Sequence, residues 1–280
     1  MTAATRWALR TRYLSLTTPV LVGVVNVTPD SFSDGGRFAD PDRAVARGRE
    51  LVAQGASVVD VGGESTRPGS EAVSAGVELD RVLPVVAALS GAGVVVSVDT
   101  SKAEVAAAAL AAGAEIVNDV TALSDPDMAR VAAEAGAGLV LMHMLGTPKT
   151  MQVDPHYEDV VAEVTSFLVE RAGAAERHGV AAEAICIDPG IGFGKTFDDN
   201  LTLLAHLELL VATGYPVMVG TSRKSFLGRI TGVDDPELRD PATEVTVALA
   251  VEQGVQAFRV HEIPGARQAV LIAEAIVRAR

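Results

Sequence analysis

Val94-Val95-Val96-Ser97-Val98-Asp99 is a short β-branched run that ends on a carboxylate. An apolar strand of this kind suits a parallel sheet covered on both faces, where alternation of polar and apolar residues is lost. The same form recurs along the chain. Asn26 stands near the end of 20–27, Asn118 and Asp119 near the end of 116–120, and Asp188 at the end of 185–188. Ser222, Arg223 and Lys224 follow 217–221, and Arg259 and His261 lie in 258–263. With 58–62 and 139–144 the strand candidates number eight.

Helical patterns separate them, at 41–54, 77–89, 102–111, 126–135, 157–178, 198–211 and 242–252, with a last one at 266–278. Gly55, Gly113, Gly136 and Gly179 follow helical patterns, where a left-handed C-terminal cap favours glycine. Asp40-Pro41 and Asp125-Pro126 read as an N-cap followed by proline in the first turn. Eight strand–helix units without a linker predict an α/β fold of the TIM (β/α)8 barrel type in one domain, 19–280. The pattern alone leaves a doubly wound open sheet as the competing fold. Residues 1–18 precede the first unit and are expected to form a hairpin closing the barrel bottom. A barrel gathers all strand ends on one face, so the polar residues above would share one bowl. The loops 30–37, 63–74 and 145–156 are long for connectors and are expected to act as lids over it.

The chain has 280 residues, 49% of them hydrophobic and only 4% aromatic, with a formal net charge of −13. That charge argues against a broad nucleic-acid surface. Arg67, Lys195, Arg223, Lys224, Arg229 and Arg259 nevertheless fall near predicted strand ends, which suggests an anionic ligand. The single cysteine, Cys186, excludes an intrachain disulfide and reads as an inert buried residue. No apolar run approaches the roughly 20 residues needed to span a bilayer. A cytoplasmic protein that engages neither membrane nor nucleic acid is expected.

Side chains alternate along a strand, so Ser97 and Asp99 share a face, as do Val24 and Asn26, and Arg259 and His261. Asp99 and Asp188 could instead cap following helices. The alternative is weaker for Asp188, which precedes Pro189-Gly190. The segment from Asp188 to Thr196 resembles a phosphate-binding P-loop, but Pro189 replaces its first glycine and removes an amide, so that match fails. A glycine-rich turn remains, placing Phe193 over the pocket mouth. Lys224 reads as a ligand donor and His143 as a structural histidine. No nucleophile–base arrangement and no His–carboxylate cluster stands out, so a divalent metal would be held mainly by substrate oxygens.

Together, several of these segments resemble dihydropteroate synthases of the pterin-binding family. The matching pieces are Asn26-Val-Thr-Pro-Asp-Ser-Phe-Ser-Asp-Gly-Gly36, Asp60-Val-Gly-Gly-Glu-Ser-Thr-Arg-Pro-Gly69, Ser97-Val-Asp-Thr100 and Val117-Asn-Asp119. Asp188-Pro-Gly-Ile-Gly-Phe-Gly194, Ser222-Arg-Lys-Ser-Phe-Leu-Gly228 and Arg259-Val-His261 complete the set. The resemblance implies a TIM barrel that condenses 6-hydroxymethyl-7,8-dihydropterin diphosphate with para-aminobenzoate in folate synthesis, with Mg²⁺ as cofactor and sulfonamides as competitors. It also implies a homodimer formed through outer helices.

By that similarity Asp99, Asn118, Asp188 and Lys224 would bind the pterin edge, and Arg259 would stack on its face. Arg259, His261 and Asn26 would border the diphosphate, Asn26 also meeting the metal. Phe193, Lys224 and Ser225 would border the aminobenzoate. Lids carrying Phe32, Asp34, Arg67 and Pro68 would close over the substrates, and Thr66 and Val260 complete the expected contacts. Asp99, Lys224 and Arg259 are the expected catalytic residues. Glu262 stands where the family commonly has aspartate, with no expected consequence, and 145–156 matches no motif. A pterin-domain methyltransferase and a silent pterin-binding paralogue are the rival functions. The Ser-Thr-Arg-Pro and Arg-Lys-Ser-Phe-Leu segments favour a synthase over the methyltransferase, and Asn26, Arg67, Arg259 and His261 argue against a silent paralogue.

Overall fold

Two short strands, β1 (Arg6–Ala8) and β2 (Tyr13–Ser15), pair antiparallel with Trp7 opposite Leu14. The computed structural model describes residues 4–28, 40–66 and 69–280. After the hairpin come eight parallel strands. They are β3 (Val20–Asn26), β4 (Val58–Gly62), β5 (Val96–Asp99), β6 (Ile116–Asp119), β7 (Gly138–Met142), β8 (Ile185–Asp188), β9 (Met218–Val219) and β10 (Ala257–Val260). Their order is β8-β7-β6-β5-β4-β3-β10-β9, and a parallel bridge from Ile187 to Val217 joins the two ends. The sheet is therefore a closed (β/α)8 barrel. An open doubly wound sheet has two edges, and this sheet has none.

The helices are α1 (Pro41–Gln54), α2 (Ala75–Gly91), α3 (Ala103–Ala111), α4 (Met128–Ala135), α5 (Val160–Arg177), α6 (Phe197–Ala205), α7 (Leu207–Val211), α8 (Ser225–Thr231), α9 (Asp240–Glu252) and α10 (Pro264–Arg278). Asp40 caps α1 as the sequence predicts, accepting from the amides of Asp42 and Arg43. Asp125 closes the turn at Pro126, its Oδ1 accepting from Asp127 N at 3.0 Å, but α4 begins only at Met128, and its Oδ2 accepts from Ala103 N at the start of α3. The helix predicted over 198–211 is broken at His206. The Gln253 amide replaces the missing rungs, donating to Leu204 O at 2.8 Å and accepting from Leu207 N at 2.7 Å. The run 258–263 stops being strand at Val260, so His261 lies beyond β10. The short α8, directly after Lys224, has no clear signal in the sequence.

Alternation along the strands divides the core into two shells. Val59, Val61, Val98, Val117, Leu141, Ile187, Phe258 and Val260 face outward and pack beneath the helices. Val20, Val22, Val58, Ile116, Val140, Cys186, Met218 and Ala257 face inward and meet Trp7. Trp7 is 1% exposed, and its indole Nε1 donates to Ala184 O at 2.8 Å. The hairpin's one buried ring thus fills the N-terminal end of the barrel, where the inward side chains named above are apolar.

That packing generates a test. Truncating a buried aromatic leaves a cavity that typically costs about 3–5 kcal/mol. Trp7→Ala is expected to lower the urea midpoint by an equivalent amount, and Trp7→Phe by less. A Trp7→Ala variant with the parent midpoint would show that the hairpin contributes nothing to the barrel.

Candidate active site

Further along five of the inner rows, the apolar layer gives way to polar and charged groups. In β4, Val58 is followed on the same face by Asp60. In β5 the inward residues are Ser97 and Asp99, in β6 Asn118, in β8 Asp188 and in β10 Arg259. The residues opposite one another are in register: Gly62 pairs with Asp99, and Asp99 with Asn118. Gly62 matters because a Cβ there would lie 3.6 Å from both Asn26 Oδ1 and Asp99 Oδ2. Its missing side chain leaves an opening between them.

Arg259 ties the floor together. Its Nε donates to Asp60 Oδ2 at 2.7 Å and its Nη2 to Asp99 Oδ2 at 2.9 Å. Asn118 Nδ2 donates to the same Asp60 oxygen at 3.1 Å. Burial pushes the Asp99 carboxyl up, an effect opposed by the Arg259 charge. The two carboxylates raise the pKa of Arg259 against its own burial, so it stays a cation. Asp60 Oδ1 and Asn118 Oδ1 are buried and accept from no protein group. Two orphaned acceptors facing an interior cost energy unless something supplies donors.

Asp60 is a site residue that the sequence reading misses. The signal was present: a lone carboxylate within Val58-Val-Asp-Val-Gly62, two residues from Val58 and therefore on its face. In the sequence it stands only as the first letter of the Asp60–Gly69 motif.

Above the floor, Asp188 Oδ1 accepts from Gly190 N at 2.7 Å, capping a turn and not a helix. Burial raises its pKa, and Gly190 N, Lys224 and Arg259 lower it. Lys224 donates to Ile191 O, and its Nζ lies 4.1 Å from the centre of the Phe193 ring. Burial lowers its pKa to about 7, although Asp188 pulls the other way. Ser225 is exposed at the first position of α8. His261 Nδ1 lies 2.9 Å from Ser222 Oγ, which holds the imidazole at the rim. Thr66 is half-buried at the end of the described part of the β4 loop.

Several expected members stand elsewhere. Val260 turns outward into the helix-facing shell, because it alternates with Arg259. Of the six suspected anion-binding cations, Arg223 forms a bidentate pair with Asp240 at 2.9 and 2.8 Å, and Arg229 covers the Phe197 ring. Lys195 is 3% exposed and donates to the carbonyls of Phe193 and His143 at 3.0 and 3.4 Å, and to His143 Nδ1. His143 is buried beside it with its pKa lowered to about 3, as a neutral structural ring. Phe32, Asp34, Arg67 and Pro68 lie outside the described residues. Among the described residues no group of three His, Cys, Asp or Glu could hold a metal. Asn26 offers a single amide oxygen at the mouth.

The arrangement suits a flat, hydrogen-bonding heterocycle: acceptors at its edge, a guanidinium beside it, and an aromatic ring near the rim. Known proteins lead the same way. Residues 22–261 match the family model of pterin binding enzymes. The chain is 47% identical over 273 residues to the dihydropteroate synthase of Mycobacterium leprae, covering 95% of this chain and 96% of that one. A structure of Xanthomonas albilineans dihydropteroate synthase with 4-aminobenzoic acid superposes with a TM-score of 0.92 at 45% identity, over 98% of both chains. The same enzyme in complex with 7,8-dihydropteroate gives 0.87 at 43% identity, over 97% and 98%. The chain belongs to the pterin-binding enzymes, among the dihydropteroate synthases.

Proposed function

We propose that this chain joins 6-hydroxymethyl-7,8-dihydropterin diphosphate to para-aminobenzoate, releasing diphosphate and forming 7,8-dihydropteroate. The observation that carries this reading is the buried floor of Asp60, Asp99, Asn118, Asp188 and Arg259, with two acceptor oxygens unpartnered. A pterin presents amino and ring N–H donors along one edge and a carbonyl acceptor at its end. Carboxylates and the Asn118 amide oxygen complement the donors, and the Lys224 ammonium complements the carbonyl. Asp188 and Asn118 hold the edge, Lys224 the carbonyl, and Arg259 lies along the ring between Asp60 and Asp99.

Departure of diphosphate leaves a positive methylene carbon conjugated to the electron-rich dihydropterin, so an SN1-like path needs no enzyme nucleophile. The aniline nitrogen then attacks that carbon and loses its proton. The chain's own work is to fix the pterin, to steady the leaving group with Arg259 and His261, and to hold the aniline in line. Arg67 and Pro68 would add a cation and cover from the β4 loop, and Phe32 cover from the β3 loop. Phe193 and Ser225 border the aminobenzoate.

Among the described residues Asn26 Oδ1 is a single hard oxygen with no carboxylate cage beside it, so Mg²⁺ would be held there by that one protein oxygen. Such an ion takes its remaining ligands from diphosphate and water, as magnesium commonly does. When bound it neutralises charge on the departing diphosphate.

We also place the enzyme in the cytoplasm as a homodimer. Val245 and Leu249 on α9, with Ile272 and Ile276 on α10, form exposed apolar rows of four-residue spacing that a second copy would cover. Leu249→Glu with Ile272→Glu is expected to yield monomers by light scattering. Unchanged mass would move the interface elsewhere.

Diphosphate release should require para-aminobenzoate and magnesium together. Diphosphate release insensitive to para-aminobenzoate would exclude a synthase, and pterin binding without turnover would identify a silent paralogue. Because a hydrogen bond to a charged group contributes about 1.5–3 kcal/mol, Asp188→Ala should lower kcat/KM by about 10- to 150-fold while circular dichroism stays unchanged. A fully active Asp188→Ala would remove that residue from the pterin edge.

Affinity for the pterin should also be bell-shaped in pH. Lys224 binds the carbonyl as an ammonium, and its depressed pKa of about 7 means that this form is lost as pH rises above 7. Asp188 must be ionised to accept, and its raised pKa brings the acidic fall closer to neutrality. Calorimetric titration of Lys224→Met should show the basic limb gone. Retention of that limb would assign it to another group.

A further inference from the structure

The turn after β8 is built from alternating glycines. Gly190, Gly192 and Gly194 have φ of +63°, +84° and +63°, a region that costs glycine little and other residues a great deal. A turn so rich in glycine is intrinsically mobile. In this structure it is held by side chains from four places. Ile191 O accepts from Lys224 Nζ, Gly192 O from Gln152 Nε2 at 3.0 Å, Phe193 O from Lys195 Nζ at 3.0 Å, and Gly194 O from Tyr157 Oη at 2.7 Å. Four consecutive carbonyls each receive their own donor. A Cβ on Gly194 would lie 2.6 Å from Leu145 O, so the turn is also seated directly on the backbone of the β7 loop.

Gln152 and Tyr157 come from, or just follow, the loop 145–156, which matched no motif in the sequence. That loop reaches the other side of the bowl as well. Gly69 N donates to Pro148 O at 3.0 Å, and Lys149 pairs with Glu71 at 3.3 Å. Its residues therefore touch both the β4 loop and the glycine turn.

We propose that Gln152 and Tyr157 are positioning residues of the aminobenzoate half-site, fixing the carbonyls on either side of Phe193 and so setting the place of its ring. Lys224 already serves the pterin, and Lys195, which donates to Phe193 O, is buried beside His143, so Gln152 and Tyr157 are the donors on this turn that flank Phe193 without touching the pterin floor. This inference rests on the proposed synthase reading. Loss of either donor releases one of the two carbonyls that flank Phe193 and shifts the ring that borders the aminobenzoate, while the floor beneath the pterin is untouched.

The test is steady-state kinetics on the full chain with Gln152→Met, Gln152→Lys and Tyr157→Phe. Gln152 is exposed, so neither substitution there removes core packing. Gln152→Met and Tyr157→Phe should each raise KM for para-aminobenzoate about fivefold, the equivalent of one ordinary hydrogen bond. KM for the pterin diphosphate should stay within about twofold. Gln152→Lys retains a donor of similar reach and should restore the parent KM. Unchanged KM for para-aminobenzoate in both donorless variants would overturn the assignment, as would an equal rise for both substrates. Failure of the unaltered enzyme to release diphosphate in response to para-aminobenzoate would instead refute the synthase reading itself.

Discussion

A single guanidinium between two buried carboxylates organises the bowl. Asp60 and Asp99 come from adjacent strands and would repel each other in a low-dielectric interior without a cation between them. Arg259, from the strand on the far side of β3, supplies it at 2.7 and 2.9 Å. Breaking one member of such a buried set typically costs about 3–5 kcal/mol, because the remaining charge has no solvent to turn to. The planar fork of arginine also leaves its faces free while its edge is engaged. A flat ring can lie on a guanidinium whose hydrogen bonds are already committed to the protein.

The barrel separates stability from chemistry by height. Its lower inner layer is wholly aliphatic apart from Trp7 and Cys186, and it closes on the hairpin. The upper layer carries the acids, the amides and Arg259. Burying those polar groups is unfavourable in isolation, and the apolar layers around them offset the cost. The oxygens Asp60 Oδ1 and Asn118 Oδ1 are the part of this layer left without a protein donor.

The loops above depend on ion pairs at their roots. Lys102 bridges Glu64, in the β4 loop, and Glu78, wholly buried in α2, at 2.6 Å each. Glu64 also accepts from Val73 N at 3.0 Å, closing the loop on itself. Arg223 pairs with Asp240 and so braces the turn that presents Lys224, from a left-handed φ of +62°. Neighbouring cations in one sequence run thus have opposite duties: one faces the bowl, the other secures the backbone beneath it.

The sequence by itself determined the order of strands and helices, and the period-two rows that carry Asp99, Asn118, Asp188 and Arg259 to one face. Those features are local: they follow from side-chain alternation and from glycine and aspartate at element ends. It also contained Asp60 on the correct face, though nothing local distinguished it from a motif letter. Only the tertiary structure decided which cations serve the site, because Arg223, Arg229 and Lys195 find partners far away in the chain. The same holds for Asp125 capping α3, for Gln253 splitting α6 from α7, and for Gln152 and Tyr157 reaching the Phe193 turn. Each of these rests on one or two hydrogen bonds between segments whose proximity exists only after the barrel closes, and no spacing along a chain encodes it.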